Sequence, residues 1–221
     1  MKHLSTFACL AFGVALLTLA PAAYAVDGII LIDQNRAMAG NITPGDTPGF
    51  PISITQPGSY RLAGNLTVPA ATAGIEISAS NVTIDLNGFS LVAPSRVNGD
   101  PLKFGIVSAV GTKSISIRNG MIVGFTGQVN LDNTAQVLAE NLILNNGGGS
   151  IFTTSFFGGG GVIRQVTADP LFPNINSIAF RCPMVVVESV SGGGAFGADA
   201  TLSTPTRCIL TNNSGAVNFS F

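Results

Sequence analysis

A short pattern returns along this chain at a nearly fixed interval. An apolar residue is followed by a charged or polar one and then by Asn, Gln or Ser: Ile117-Arg118-Asn119, Ala139-Glu140-Asn141, Ile163-Arg164-Gln165, Val187-Glu188-Ser189 and Leu210-Thr211-Asn212. The steps between the apolar members are 22, 24, 24 and 23 residues. Helical periodicity is scarce, because Gly, Asn, Ser and Thr interrupt short runs of Ile, Val and Leu that alternate with polar residues, a strand pattern. Short strands repeating every 23 or so residues predict an all-β stack of coils, a parallel β-solenoid with neighbouring strands ~4.8 Å apart. No coil buries its apolar face alone, so stacking supplies the core.

Alternation assigns faces. Val82, Ile115, Val137, Gly161, Val185 and Cys208 form one inward stack, and Ile84, Ile117, Ala139, Ile163, Val187 and Leu210 form a second. The residues that follow the second stack point outward as Asp85, Arg118, Glu140, Arg164 and Glu188, which alternate in sign from coil to coil. Such a column favours the correct register and opposes a slip. The third member of each triplet is expected to point inward at the bend. Asn119, Asn141, Gln165, Ser189 and Asn212 then form a buried polar ladder, like the amide ladders of cross-β stacks. Asn also accepts the left-handed backbone that a tight bend requires. A second strand set precedes the first, with inward pairs such as Ile75/Ile77, Ile106/Ser108, Val129/Leu131 and Ile151/Thr153, and with Leu202 last.

The relative Ile84-Asp85-Leu86 lies 33 residues before Ile117, and the excess fits a loop inserted over 93–103. About six coils fill residues 73–221, and the turn-rich segment 26–72 reads as an N-terminal cap over the first exposed edge. Residues 1–25 have the layout of a secretory signal peptide: Lys2 and His3, an apolar run over 10–20, and Ala23-Tyr24-Ala25 as the cleavage site. The leucine-rich repeat shares the period, but its Leu spacing is absent.

Cleavage would leave nine Lys and Arg against eleven Asp and Glu, no histidine and no tryptophan. A charge of −2 speaks against nucleic acid and anionic membranes as partners, and no later stretch is apolar for the ~20 residues of a membrane span. The loss of His3 also removes Ser-His-Asp, Cys-His and histidine-metal chemistry. Cys182 and Cys208 remain. In an exported chain they could pair as a disulfide or sit as two buried thiols.

The runs Gln56-Pro57-Gly58-Ser59-Tyr60-Arg61-Leu62, Asn81-Val82-Thr83-Ile84-Asp85-Leu86-Asn87-Gly88-Phe89 and Ile115-Ser116-Ile117-Arg118-Asn119-Gly120 resemble secreted bacterial proteins of the pectin-lyase-like superfamily. The resemblance implies a right-handed parallel β-helix. In the family's pectate lyases, acids on the outer face of the first strand set hold Ca²⁺ and an Arg acts as base. The corresponding row here is Glu76, Val107, Asn130, Phe152, Ala179 and Ser203, with one acid and no Arg. Asp132 is the next outward acid, roughly 12 Å from Glu76 by strand geometry, beyond the usual glycosidase spacing of about 5–9.5 Å. The polygalacturonase set of paired Asp, Gly-His-Gly and Arg-x-Lys is missing. The glycine tracts 147–149, 158–161 and 192–194 lack the Lys-Ser or Lys-Thr of a phosphate loop.

These residues lead to a secreted, periplasmic or surface-attached β-helix module that is not an enzyme. It contacts extracellular polysaccharide or serves a surface-structural role, with no cofactor or metal. One alternative is a minimal polysaccharide lyase or hydrolase on uronate glycans, using Glu76, Asp132 and Lys103, with Ca²⁺ as cofactor in that case alone. The other is an adhesin or assembly subunit. The sequence leaves the ligand and the oligomeric state open.

Overall fold

The computed structural model describes residues 28–94, 103–131, 134–147, 153–155, 161–170, 178–181, 185–188, 191–192, 196–199, 208–211 and 217–220. The first strands are β1 (Ile29–Ile32), β2 (Ile52–Ile54), β3 (Gly58–Leu62), β4 (Leu66–Thr67), β5 (Ile75–Ile77), β6 (Val82–Asp85), β7 (Ser90–Val92), β8 (Phe104–Ser108), β9 (Lys113–Val123) and β10 (Gly127–Asn130). They are followed by β11 (Ala135–Gly147), β12 (Thr153–Ser155), β13 (Gly161–Pro170), β14 (Ile178–Arg181), β15 (Val185–Glu188), β16 (Ser191–Gly192), β17 (Phe196–Asp199), β18 (Cys208–Thr211) and β19 (Val217–Ser220). One helix, α1 (Gln34–Ala39), stands between β1 and β2. The chain is therefore all-β in class.

The strands form two sheets. The first runs β1-β3-β6-β9-β11-β13-β15-β18, with β4, β7 and β16 attached, and the second runs β2-β5-β8-β10-β12-β14-β17-β19. Their ladders are parallel, and the chain passes back and forth between the sheets. Parallel neighbours cannot be joined by tight hairpins, so each strand pairs with one a repeat away. Val82, Ile115, Val137, Gly161, Val185 and Cys208 stand opposite one another across six strands. Ile84, Ile117, Ala139 and Ile163 do the same and are fully buried. The core adds Ile52, Ile54, Ile75, Ile77, Ile106 and Val129 from the second sheet. Branched side chains suit these positions because they pack on a pleated surface.

Three sequence readings change. First, the segment 26–72 does not stand outside the repeat. β2 and β3 pair in parallel with β5 and β6, with Ile52 opposite Ile75 and Tyr60 opposite Ile84, so each sheet's main path has eight strands. Before β2, β1 pairs in parallel with β3 and the helix α1 follows it. There Gln34 exchanges hydrogen bonds with the backbone of Thr67 (Nε2 to O 3.2 Å, N to Oε1 2.8 Å), as a neighbouring strand would. Second, the last strands of the second sheet are shifted. Thr153, not Phe152, stands opposite Asn130, and the strand sought at Leu202 is β17. Third, the polar ladder is not inward.

The register locates the inserted loop. Paired residues are 31 apart at Val92↔Val123 but 23 apart at Ile106↔Val129, so eight extra residues fall between Val92 and Ile106. Residues 1–25, most of that loop, Asp132, Cys182, Ser189 and Asn212 lie outside the described residues.

Candidate functional site

The charged column lies on the first sheet. Arg61, Asp85, Arg118, Glu140, Arg164 and Glu188 occupy directly opposed positions on β3, β6, β9, β11, β13 and β15. Arg61 extends the column one strand earlier, in a segment whose turn formers hid it. Asp85 is buried beneath two guanidinium groups. Its Oδ2 lies 3.5 Å from Arg61 Nη2 and 3.6 Å from Arg118 Nε, and its Oδ1 accepts from the Asn87 N–H at 2.9 Å and Asn119 Nδ2 at 3.1 Å. Further along, Arg164 Nε and Nη2 both donate to Glu140 Oε2, at 2.8 and 2.5 Å. With both oxygens engaged and the residue buried, Asp85 is not presented to a ligand. The column's chemistry is neutralisation and register.

The amide ladder runs beside it. Asn141 Nδ2 donates to Asn119 Oδ1 at 3.1 Å, and Asn119 in turn donates to Asp85. Asn119, Asn141 and Gln165 all have positive φ, at 62°, 54° and 53°. That conformation interrupts the in-and-out alternation of the strand, so the residue after Arg118 or Glu140 does not return to the core. Asn119 is half-buried, while Asn141 and Gln165 are exposed. A second left-handed column, missed in the sequence, stands at the strand starts: Asn81 just before β6, and Ser114 and Gln136 as the second residues of β9 and β11, at φ 58°, 57° and 58°. The polar residue immediately preceding Val82, Ile115 and Val137 was its signal. Beside the amide ladder lies a cavity of about 350 Å³, lined by Ser90, Asn119, Met121, Asn141 and Ile143.

The larger cavity, about 370 Å³, opens on the second sheet. Ser53, Glu76 and Val107 stand opposite one another on β2, β5 and β8 and share its outer face. Thr55, Ser78 and Ser108 add hydroxyl groups, and Gly45 closes one wall from the loop before β2. Two cap side chains hold that wall. Asp46 accepts from the Ile42 N–H at 3.0 Å and the Ser53 N–H at 2.7 Å, and Thr43 Oγ1 donates to Ser53 O at 2.5 Å. Glu76 is exposed and is the single charged residue of the lining.

Comparison with protein-family models, curated proteins and solved structures finds no match.

Of the candidate catalytic residues, the structure describes Glu76 and Lys103. Lys103 precedes β8, four residues before Val107, which is ~13 Å along an extended strand. Asp132 lies outside the described residues. Among the described residues no cluster of three His, Cys, Asp or Glu could hold a metal ion, and no helix is long and apolar enough to cross a membrane. The cysteine pairing also falls on residues that are not described, since Cys182 is among them.

Proposed function

We propose that this chain is a secreted, non-catalytic module of the right-handed parallel β-helix type, similar to the pectin-lyase-like superfamily, that contacts extracellular polysaccharide. The two sheets are read as faces of one solenoid. Support comes from their repeated parallel pairing and from the short connections, such as residues 78–81 between β5 and β6. Parallel crossovers are right-handed in nearly all folds. Export rests on the layout of residues 1–25.

The observation that carries the glycan reading is the Glu76 groove. Its floor crosses three strands and repeats at about the strand spacing of 4.8 Å, and the exposed Thr55 and Ser78 hydroxyls, which donate to Pro44 O and Ile54 O, keep oxygen lone pairs that can accept from sugar hydroxyls. One carboxylate with no second acid in the lining fits binding better than hydrolysis, which takes a pair. The test is a glycan-array screen of purified mature chain, with and without Ca²⁺, alongside a reducing-end assay on the glycans retained. Retention without new reducing ends is expected. Release of reducing ends with turnover would overturn the non-catalytic reading.

A further inference from the structure

Resting on that reading, we infer that the Glu76 groove selects glycans carrying protonated amines over uronates. The groove has an unbalanced charge. Glu76 has no ion-pair partner among the described residues, and no Lys or Arg lines the cavity. Lys103 stands ~13 Å away along β8. The arginines at 61, 118 and 164 belong to the other sheet and are engaged by Asp85 and Glu140.

A ligand lying across β2, β5 and β8 therefore meets one negative charge set among neutral groups. A sugar ammonium beside Glu76 forms a charge-assisted hydrogen bond, the stronger kind. A uronate there sets two carboxylates together with no cation between them. Bridging by Ca²⁺ would need six to eight oxygen ligands, and the lining supplies a single carboxylate. The Ser108 hydroxyl is buried against Thr134 Oγ1, and those of Thr55 and Ser78 donate to Pro44 O and Ile54 O; as neutral groups the lining hydroxyls set no preference between the two sugars.

The experiment is calorimetric titration of the mature chain and of Glu76→Gln with hexamers of glucosamine, N-acetylglucosamine and galacturonate, at low salt and at a pH where the amine is protonated. Wild-type protein should bind the glucosamine hexamer about five-fold more tightly than the acetylated one, the scale of one exposed ion pair. Glu76→Gln should bring the two glucosamine-type hexamers to similar affinities, and added salt should do the same in wild type. A tighter galacturonate complex, or an amine preference that survives Glu76→Gln, would overturn the inference and leave polysaccharide contact standing. Absence of binding to every glycan would overturn both.

Discussion

Arg164 grips a single oxygen of Glu140 with two of its nitrogens, across directly opposed positions of β11 and β13. The geometry is good, but the arginine side chain is 47% exposed, so solvent screens the pair. Glu140→Gln should cost about 0–1 kcal/mol in urea unfolding, and less at high salt. A loss of several kcal/mol would show that this column supplies stability as well as register.

Asp85 is the contrasting case. Its side chain is 11% exposed and has two arginines and two further donors around it. Asp85→Ala strands the Asn87 N–H and leaves two neighbouring cations without their shared anion. Both arginines are more than a third exposed, so the cost should come mainly from the stranded donors, about 1–3 kcal/mol, measured by chemical unfolding. Asp85→Asn keeps an acceptor and should fall between this variant and wild type.

Asn119 and Asn141 hold left-handed backbone and bond to each other through their amides. Asn119→Ala loses both advantages and should destabilise by about 1–2 kcal/mol. Asn119→Gly keeps the backbone freedom and should lose less. If alanine and glycine at this position are equally costly, backbone conformation is not what the position demands.

The same residues show how far periodicity can be read. Val82, Ile115 and Val137 align without error because bulky apolar residues at a fixed interval leave one register that buries them all. Asn119 was misplaced because alternation was carried one residue too far; a single positive φ cancels it. The strands β2 and β3 escaped notice because turn formers such as Pro57-Gly58 surround them and mask the alternation, although Tyr60 lies 24 residues before Ile84. Glu76 was legible as the only acid of its outward row. The groove around it was not, since one wall is the Gly45 loop, and a loop's return to the sheet leaves no periodic trace.

Asp46 seals the free edge of β2 by accepting from the Ser53 N–H while also bonding the Ile42 N–H. Asp46→Ala leaves both donors unpaired and should cost about 2–4 kcal/mol. An uncovered edge is also a template for another chain. Light scattering should therefore detect larger species for Asp46→Ala and only monodisperse protein for wild type at the same concentration. A variant as stable and as monodisperse as wild type would mean that the edge needs no such cover.

Tyr60 is 1% exposed on β3, and its hydroxyl donates to Gln56 O at 2.8 Å. Burial raises its pKa above the ordinary 10.0. The folded chain thus keeps the phenol protonated at a pH where the unfolded chain releases the proton. The resulting stability is present in full below about pH 10 and is lost as pH rises through the folded value. Tyr60→Phe has no proton to lose, so the gap between wild type and variant isolates this group from lysine titration at the same pH. At neutral pH the variant should be weaker by about 0.5–1.5 kcal/mol for the lost hydrogen bond. Unfolding series from pH 8 upward should show that gap closing beyond pH 10, and a gap that stays constant would place the Tyr60 hydroxyl in contact with water.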